Sequence, residues 1–570
     1  MLAHMRVVDE AALLLRMARW AIATARHDTS VATLVSGSPK FTSAREAVAR
    51  IPDRAVIAVS GLGGHQRAAI LHWALRERFE ATGRPRRLTL VNVGGHGGRG
   101  LLAGTLEELA QPGLVTRLFT SHFETFRAFL ELAAARRCEL QCLPLGVIAE
   151  LYDALGRGED TALSEVGVGT FLDPRVGRGS PVQGGRREQW IRAEGDRLRY
   201  RMPPIDVAIF NLPAADRRGN LYADGAAMIG DSREIARAAR RNGGRVIANV
   251  GLLVHEDPSR VFLPADAVDA IVCHPDTEQT VGFFHREPWP LVAASGEGNI
   301  AEGLAHAQLV RHLGELAGGF PRRNAMDAVV ARLAAATLSA ELERGAHVAI
   351  GTGLPEDAVA ALFESGRADE FRFLVESGAV GGVPAPGPYF GAAFGPKEIV
   401  STAELFARCK SRLDAACLGA LEIDAAGDVN VSKRGRGVRR YVGPGGFLDF
   451  TSAARTIVFV SRWMRGGEMR VEDGAVRILR RGRPKLVARV AERCFDATAA
   501  LRAGKRIFYV SSVGVFRATP AGLTLLRVMP GIDVERDVLA MAPFPIALPA
   551  SGVVPVVDRA VLTSGGAASP

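Results

Sequence analysis

A single carboxylate stands at the head of a glycine- and proline-rich segment. Glu376 follows the apolar residues 373–375 and precedes six glycines and four prolines, before the next charge at Lys397. A glutamate with an ordinary pKa of about 4.3 is ionised at neutral pH and can act as a nucleophile. Glycines let a substrate approach the main chain closely, and bare N–H groups in such a turn can hold an oxyanion. The segment predicts covalent chemistry at Glu376, and the competing interpretation is a glutamate that caps a turn or pairs with an arginine.

Other kinds of site have little support in the sequence. The glycine turns at residues 61–66 and 351–356 lack the third glycine of a dinucleotide fingerprint, because Gln66 and Glu356 occupy that position. The sequence contains no phosphate-binding GK[ST] loop and no G-x-S-x-G nucleophile turn. Six cysteines show neither zinc-site spacing nor a disulfide framework, so we expect reduced thiols and no metal. Four histidines of the first part of the chain are interpreted as structural: His65, His96, His122 and His274.

The chain repeats itself. Asp206 and Asp216 match Asp414 and Asp424 at an offset of 208 residues, with an apolar strand after the first aspartate of each pair. The second aspartate of each pair opens an Asp-x-x-Gly turn, in which the carboxylate bonds nearby N–H groups. We therefore interpret Asp216 and Asp424 as structural residues of two related units.

Two further pairs of segments extend this repeat. Val56 matches Val348 at an offset of 292 residues, and Gly94 matches Gly378 at an offset of 284. Each segment is an apolar strand that ends in a glycine turn. This alignment puts Asn92 opposite Glu376, so only one copy carries the carboxylate.

Alternating strands and helices predict an α/β fold of two related open halves with mostly parallel sheets. The predicted halves are residues 41–320 and residues 325–570, and the first carries about 76 extra residues. Residues 1–40 are predicted to be a helical extension. Ligands bind beyond the carboxyl ends of parallel strands, so residues 61–64, 92–98, 351–355 and 376–382 should line an active site between the halves.

Composition limits the broad class of protein. The 570 residues are 48% hydrophobic and 23% charged, as in ordinary globular proteins, and the net charge is +10. The positive charge is scattered arginine without aromatic residues between, so we expect no nucleic-acid partner. The start of the chain lacks a signal-peptide pattern, and the apolar run at residues 11–24 is broken by Arg16 and Arg19. We expect a cytoplasmic protein without a membrane partner.

The segment that begins at Glu376, ESGAVGGVPAPGPYFGAAFGP, resembles the catalytic segment of class I CoA-transferases, and most closely that of single-chain acetate and propionate CoA-transferases. The resemblance extends from about Phe41 to Asp558 and includes VGVGTFLDPRVGRG, FNLPAADRRGNLY, GTGLPE, LEIDAAGDVNVSK, GPGGFLDFT and MPGIDVERDVL. It implies a NagB/RpiA/CoA-transferase-like fold and an enzyme that is a homo-oligomer, either a dimer or a tetramer. Coenzyme A would be a substrate, and no permanently bound cofactor or metal would be needed.

The resemblance also implies a mechanism and its residues. Glu376 would attack an acyl-CoA and then carry CoA as a glutamyl thioester, which a free carboxylate such as acetate, propionate or a 3-keto acid would take over. The glycines expected to hold oxyanions or substrate are Gly353, Gly382, Gly445 and Gly446.

Two positions depart from the family pattern. Leu145 stands where a Pro-Gln-Gly motif has glutamine, and a leucine side chain donates no hydrogen bond. Residues 512–514 replace a Thr-Glu-Arg-like run. Three functions therefore stay open: CoA transfer to carboxylates, acyl-CoA hydrolysis at Glu376, and non-catalytic binding of acyl-CoA or another metabolite.

Overall fold

The computed structural model describes residues 2–36, 38–63, 65–97, 103–183, 189–278, 288–294, 297–316 and 322–563. Parts of the predicted segments fall outside these ranges: Gly64, Gly98, residues 184–188 of the first half, and residues 317–321 at the junction of the halves. The boundary at residue 320 stays a prediction for that reason.

Twelve α-helices occur in the described ranges, and their bounds are α1 Leu2–Ala25, α2 Ala44–Ala49, α3 Ala69–Thr82, α4 Arg127–Ala134, α5 Leu145–Arg157, α6 Ser232–Arg241, α7 Ile300–Leu316, α8 Ala325–Glu341, α9 Leu354–Glu364, α10 Thr402–Arg412, α11 Phe447–Ala453 and α12 Ala497–Arg502. Strands up to residue 273 are β1 Val56–Val59, β2 Leu88–Val91, β3 Val115–Thr120, β4 Glu139–Cys142, β5 Thr161–Ser164, β6 Ile191–Glu194, β7 Arg197–Arg201, β8 Val207–Asp216, β9 Leu221–Tyr222, β10 Arg245–Val254 and β11 Ala270–Cys273. Strands after residue 340 are β12 His347–Ile350, β13 Arg372–Leu374, β14 Ala379–Val380, β15 Val383–Pro384, β16 Ala393–Phe394, β17 Glu398–Ile399, β18 Ala415–Gly419, β19 Glu422–Ile423, β20 Val429–Asn430, β21 Thr456–Val460, β22 Met464–Arg465, β23 Glu468–Glu472, β24 Ala475–Arg480, β25 Arg483–Pro484, β26 Arg506–Ser511, β27 Gly514–Thr519 and β28 Gly522–Val528.

Two large sheets organise the molecule. The first has the strand order β11-β10-β8-β1-β2-β3-β4, all parallel, with β9 antiparallel against β8. The second has the order β17-β14-β13-β12-β18-β21-β26-β27-β28, and its centre, from β13 to β26, is parallel. Strands such as β2 and β8 are buried along their whole length, as sheets covered on both faces require. The predicted fold class is confirmed.

The repeat seen in the sequence is a repeat of structure. The inner orders β10-β8-β1-β2 and β21-β18-β12-β13 are equivalent. Asp206 accepts the N–H of Val56 at 2.8 Å, and Asp414 accepts the N–H of His347 at 2.9 Å. The two aspartates therefore close the same strand pair in each half, as their matching positions predict.

The hydrogen bonds also correct the other two offsets. Val56 corresponds to His347, since both donate to the matching aspartates, and not to Val348. Val91 lies opposite Ala58, while Leu374 lies opposite Ala349, so Val91 corresponds to Leu374. The offsets of 292 and 284 are each one residue too long. Apolar strand residues match at either register, so the sequence did not distinguish the two alignments.

The helices at the ends of the predicted halves agree with the sequence prediction to different degrees. Helix α8 begins at Ala325, the first residue of the predicted second half, where the Asn324 side chain caps it by accepting the Asp327 N–H at 3.1 Å. Helix α7 belongs by sequence to the first half but packs on the second, since an added Cβ on Gly303 would lie 3.0 Å from Phe394. In the extension, residues 2–25 are helical as predicted and residues 26–36 are not.

Candidate active site

Glu376 lies on a tight turn that leaves β13. The N–H of Gly378 donates to the Val375 carbonyl at 2.9 Å, which closes the turn, and Val375 donates to Ala379 at 3.0 Å. Gly378 has φ of 109°, and an added Cβ would collide with the Val400 carbonyl. Only glycine fits this position, so the predicted change from strand to glycine turn is confirmed.

The Glu376 carboxylate is partly buried and is held by one main-chain donor. Its Oε2 accepts the N–H of Gly446 at 3.0 Å, and Gly446 is the residue from which α11 begins. An added Cβ on Gly446 would lie 2.6 Å from this oxygen. Burial raises the pKa of Glu376 to about 7, against the opposing effect of the Gly446 N–H. A large part of the molecules therefore carries the ionised form at neutral pH.

A second carboxyl group lies near Glu376. Asp449 is on the first turn of α11 and is 6% exposed. Burial raises its pKa to about 7, the Gly146 N–H opposes this, and the charge of Glu376 adds to it. An added Cβ on Gly146 would lie 2.6 Å from Asp449 Oδ1, so Leu145 and Gly146 are brought to this site. Asp449 was not among the predicted site residues, although it lies in the segment GPGGFLDFT that resembles the family.

The two halves of the molecule meet around the Glu376 carboxylate. The N–H of Gly445 donates to the Ser121 carbonyl at 3.0 Å, and the N–H of Phe123 donates to Val442 at 2.6 Å. These bonds attach the loop after β3, in the first half, to the loop before α11.

Another contact between the halves involves the predicted glycine turn. His65 Nε2 lies 2.7 Å from the carbonyl of Phe390, and an added Cβ on Gly63 would collide with the same carbonyl. The Ser377 hydroxyl, next to Glu376, donates to Gly391. Residues 61–63 and Glu376 thus face the same interface, as the sequence predicts.

The four predicted glycines differ in what their N–H groups do. The N–H of Gly446 donates to Glu376 as described, whereas the N–H of Gly445 donates to the Ser121 carbonyl. The N–H of Gly353 donates to Glu356 Oε2 at 3.1 Å within the start of α9. Gly382 faces the carbonyls of Phe394 and Gly395, where any side chain would collide. The oxyanion- or substrate-binding roles of Gly353, Gly382, Gly445 and Gly446 all stay predictions.

The buried histidines near the interface are poor acid–base groups. Burial lowers the pKa of His65 to about 4, that of His72 to about 4, and that of His96 well below its ordinary value. His72 and His96 lie edge to face with centroids 6.1 Å apart. All three are neutral at physiological pH, which agrees with the structural interpretation of His65 and His96.

Among the described residues, no group of three or more histidine, cysteine or acidic side chains could hold a metal ion. All six cysteines are buried and unpaired, and burial raises the pKa of Cys142 and Cys494 to about 12. None of the helices in the described ranges combines the length and apolar character needed to cross a membrane.

Comparison with known proteins identifies the family. A coenzyme A transferase family model matches residues 41–274. The caffeate CoA-transferase of Acetobacterium woodii is 30% identical over 528 residues, which cover 90% of this chain and 95% of that protein. The acetate CoA-transferase YdiF of Escherichia coli K12 is 28% identical over 516 residues, which cover 89% and 92%.

Solved structures agree with these sequence matches. The apoenzyme of the acyl-CoA transferase YdiF from Escherichia coli O157:H7 matches with a TM-score of 0.80 and 26% identity, over 94% of this chain and 98% of that one. A thioester complex of the same protein with CoA matches with a TM-score of 0.78 and 26% identity, over 91% and 95%. This chain belongs to the coenzyme A transferase family and is an enzyme, a CoA-transferase.

Proposed function

We propose that the protein transfers CoA from an acyl-CoA to a free carboxylate through a thioester on Glu376. The observation that carries this proposal is the position of the Glu376 carboxylate, on a glycine turn at the interface of the halves with its Oε2 on the Gly446 N–H. A carboxylate with one fixed donor and a partly buried position is suited to covalent catalysis.

The first half of the reaction loads the enzyme. A Glu376 carboxylate oxygen attacks the thioester carbonyl carbon, the C–S bond breaks, and CoA leaves as a thiolate, which yields an acyl-glutamyl anhydride. The thiolate then attacks Cδ of Glu376, and the original acid departs as a carboxylate. The product is a glutamyl-CoA thioester, and no net proton is consumed.

The second half reverses these steps with a new acid. Its carboxylate attacks Cδ of Glu376 and displaces the CoA thiolate, which then attacks the acyl carbonyl of the new anhydride. A new acyl-CoA forms and the Glu376 carboxylate is regenerated. Thioester energy is conserved, and we propose that neither a metal ion, a nucleotide nor a permanently bound cofactor is required.

Gly446 supplies the clearest electrostatic contribution. Whenever the thiolate or the incoming acid attacks Cδ of Glu376, negative charge develops on a glutamyl oxygen. The Gly446 N–H already lies 3.0 Å from Oε2, so it can stabilise this oxyanion without reorganisation. Removal of one such donor in other enzymes costs about 3–4 kcal/mol of transition-state stabilisation.

Leu145 bears on the choice between transfer and hydrolysis. Both covalent intermediates react with water, so the site must exclude it. Leu145 is 1% exposed, which means that an apolar side chain fills the space of the family's glutamine. This packing supports transfer over hydrolysis of acyl-CoA. The burial of Glu376 and its single donor likewise support catalysis over a role in binding alone.

We further propose small carboxylic acids as acceptors, among them acetate, propionate and 3-keto acids, in a cytoplasmic homo-oligomer, either a dimer or a tetramer. Acetate and caffeate appear in the names of the relatives, so acceptors of very different size occur within this family. A panel of acceptors with one acyl-CoA donor distinguishes them.

The test is the covalent adduct itself. Incubation with acyl-CoA and no acceptor should add the mass of CoA minus water to a peptide that contains Glu376, and borohydride should reduce the adduct and inactivate the enzyme. Glu376→Gln should lose adduct and turnover, whereas Glu364→Gln, at the exposed end of α9, should retain both. Chelator should leave turnover unchanged.

An adduct on another residue, or turnover in the Glu376→Gln variant, would refute the proposal. Rapid loss of the adduct with release of free acid would indicate a hydrolase instead. Absence of both adduct and turnover from wild-type protein across the acceptor panel would indicate a binding protein.

A further inference from the structure

The hairpin of β15 and β16 ends in a short loop, residues 385–392, which we call the hairpin tip. The N–H of Ala385 donates to the Ala392 carbonyl at 3.0 Å and closes the loop. Inside it, the N–H of Phe390 donates to the Gly387 carbonyl at 3.1 Å. Gly387 has φ of 66°, a conformation that favours glycine. The hairpin tip is therefore a defined turn, closed by its own main chain.

The hairpin tip contacts both the turn of the candidate nucleophile and the first half of the molecule. The carbonyl of Gly391 accepts the hydroxyl of Ser377, the residue that follows Glu376. The carbonyl of Phe390 lies 2.7 Å from Nε2 of His65, which belongs to the first half. The position of the tip thus affects both the turn that carries Glu376 and the contact between the halves.

One buried carboxyl group fixes the beginning of the hairpin tip. Glu356 lies in the first turn of α9 and is 5% exposed. Its Oε2 accepts the N–H of Gly353 at 3.1 Å and the N–H of Gly387 at 3.2 Å. The first bond lies within the start of α9, as in an ordinary capping box, but Gly387 is 31 residues further along the chain. Glu356 therefore joins the glycine turn after β12 to the hairpin tip.

The Glu356 carboxyl group is neutral in most molecules near pH 7. Burial raises its pKa to about 8, and the N–H groups of Gly387 and Gly353 oppose this effect. Among the described residues, Oε1 has no hydrogen-bond partner. Because Oε2 accepts both N–H groups, the proton belongs on Oε1. A glutamine has nearly the same shape and offers an equivalent acceptor oxygen, so it should take over both bonds.

The path from Glu356 to Glu376 is short. If residue 356 offers no acceptor, the N–H of Gly387 loses its partner, and main-chain donors away from water are nearly always paired. The hairpin tip would then shift to find another acceptor. Gly391, four residues after Gly387, holds the hydroxyl of Ser377, so the shift would reach the residue next to Glu376.

We propose that Glu356 is a positioning residue for CoA transfer, which holds the hairpin tip so that the turn at Ser377 presents Glu376 to the N–H of Gly446. The inference rests on the proposed function of Glu376. Glu356 itself contacts neither substrate nor the reacting atoms. It therefore acts on the rate of the covalent step rather than on the binding of acyl-CoA.

The test compares two substitutions of Glu356 in the full-length protein. Glu356→Leu removes the acceptor, and the rate of adduct formation at saturating acyl-CoA, counted per site that can be loaded, should fall about 10- to 100-fold, since a misplacement of about 1 Å can cost about 100-fold. The KM for acyl-CoA should stay within about threefold. Glu356→Gln should keep the rate within about threefold of wild type. Glu364→Leu, the same substitution at the exposed end of α9, is the matched control and should behave as wild type.

A role confined to capping α9 gives a different result. It would lower the melting temperature and the fraction of sites that can be loaded, and leave the rate per loaded site unchanged. That outcome would overturn the proposal, as would equal losses in Glu356→Gln and Glu356→Leu. A faster reaction in Glu356→Leu would also overturn it, because the N–H of Gly353 would then be more useful to the substrate than to Glu356.

Hydrogen exchange tests the contact without any activity. In Glu356→Leu the amides of residues 387–392 should exchange at least tenfold faster than in wild type, and in Glu356→Gln at the wild-type rate. If wild-type protein forms no adduct, the proposed function fails, and exchange still decides whether Glu356 holds the hairpin tip. If wild-type protein transfers CoA and exchange in Glu356→Leu is unchanged, the inference fails and the proposed function stands.

Discussion

Gly446→Ala tests whether the contact with Gly446 positions Glu376, the proposed nucleophile. Gly446 has φ of −79° and ψ of 4°, a conformation that alanine adopts, so the substitution strains no backbone. The added Cβ would lie 2.6 Å from Glu376 Oε2, 3.2 Å from Phe406 Cζ and 3.3 Å from Phe450 Cε2. Since two rings block the other directions, the carboxylate is the group that must move.

The size of the effect follows from these distances. Ordinary contact begins at about 3.4 Å, so the carboxylate must shift by about 0.8 Å. A misplacement of about 1 Å can cost about 100-fold in rate, or roughly 2.7 kcal/mol. We expect kcat/KM to fall about 30- to 100-fold while the N–H donor itself remains present.

The assay is acyl exchange between acetyl-CoA and propionate, followed by chromatography of the CoA esters. The rate of adduct formation on Glu376 should fall in parallel with turnover. Ser452→Ala, near the other end of the same helix, is the control and should behave as wild type. A fall of less than about threefold at unchanged melting temperature would show that this contact does not position the nucleophile.

Two further predictions concern the same site. Because burial raises the pKa of Glu376 to about 7, kcat/KM for acyl-CoA should fall about tenfold between pH 8 and pH 6. The pKa in the folded protein lies above that in the unfolded chain, so ionisation of Glu376 lowers the stability of the fold as pH rises from about 4.5 through 7. Glu376→Gln should therefore raise the melting temperature more at pH 8 than at pH 4.5. A flat pH profile would contradict the first part, and equal melting shifts at both pH values the second. Leu145→Gln should raise transfer about tenfold, or ~1.4 kcal/mol, by restoring a donor, and an unchanged or lower rate would show that the site has repacked around leucine.

Features with a local cause could be predicted from the sequence. The Asp-x-x-Gly turns form because a short carboxylate satisfies its own turn: Asp216 accepts the N–H groups of Arg218, Gly219 and Asn220 at 2.8–3.0 Å. The turn after Glu376 likewise follows from Gly378, where no side chain fits. The conformation of these turns follows from the residues themselves and does not depend on distant contacts.

Features with a distant cause could not be predicted. The sequence does not show that the N–H of Gly445 donates a hydrogen bond to the Ser121 carbonyl, because the two residues come from different halves. Nothing in the sequence around Asp449 indicates that it is buried, because its burial depends on packing against Gly146 of the other half. The glycine pattern identified possible donors, and the tertiary contacts determine which of them are already used.

The two copies of the repeat close the turn after their second strand in different ways. In the first half, Asn92 follows β2 and holds its own loop: its amide donates to the Val59 and Gly61 carbonyls at 2.9 and 3.1 Å, and its oxygen accepts the Gly94 N–H at 3.0 Å. In the second half, the main chain of residues 375–379 closes the corresponding turn without side-chain help. Glu376 lies one residue after the position that corresponds to Asn92. Its side chain takes no part in closing the turn and instead accepts the N–H of Gly446, 70 residues away along the chain. The asymmetry between the halves therefore lies in which groups close the turn: the side chain of Asn92 in the first half and the main chain in the second.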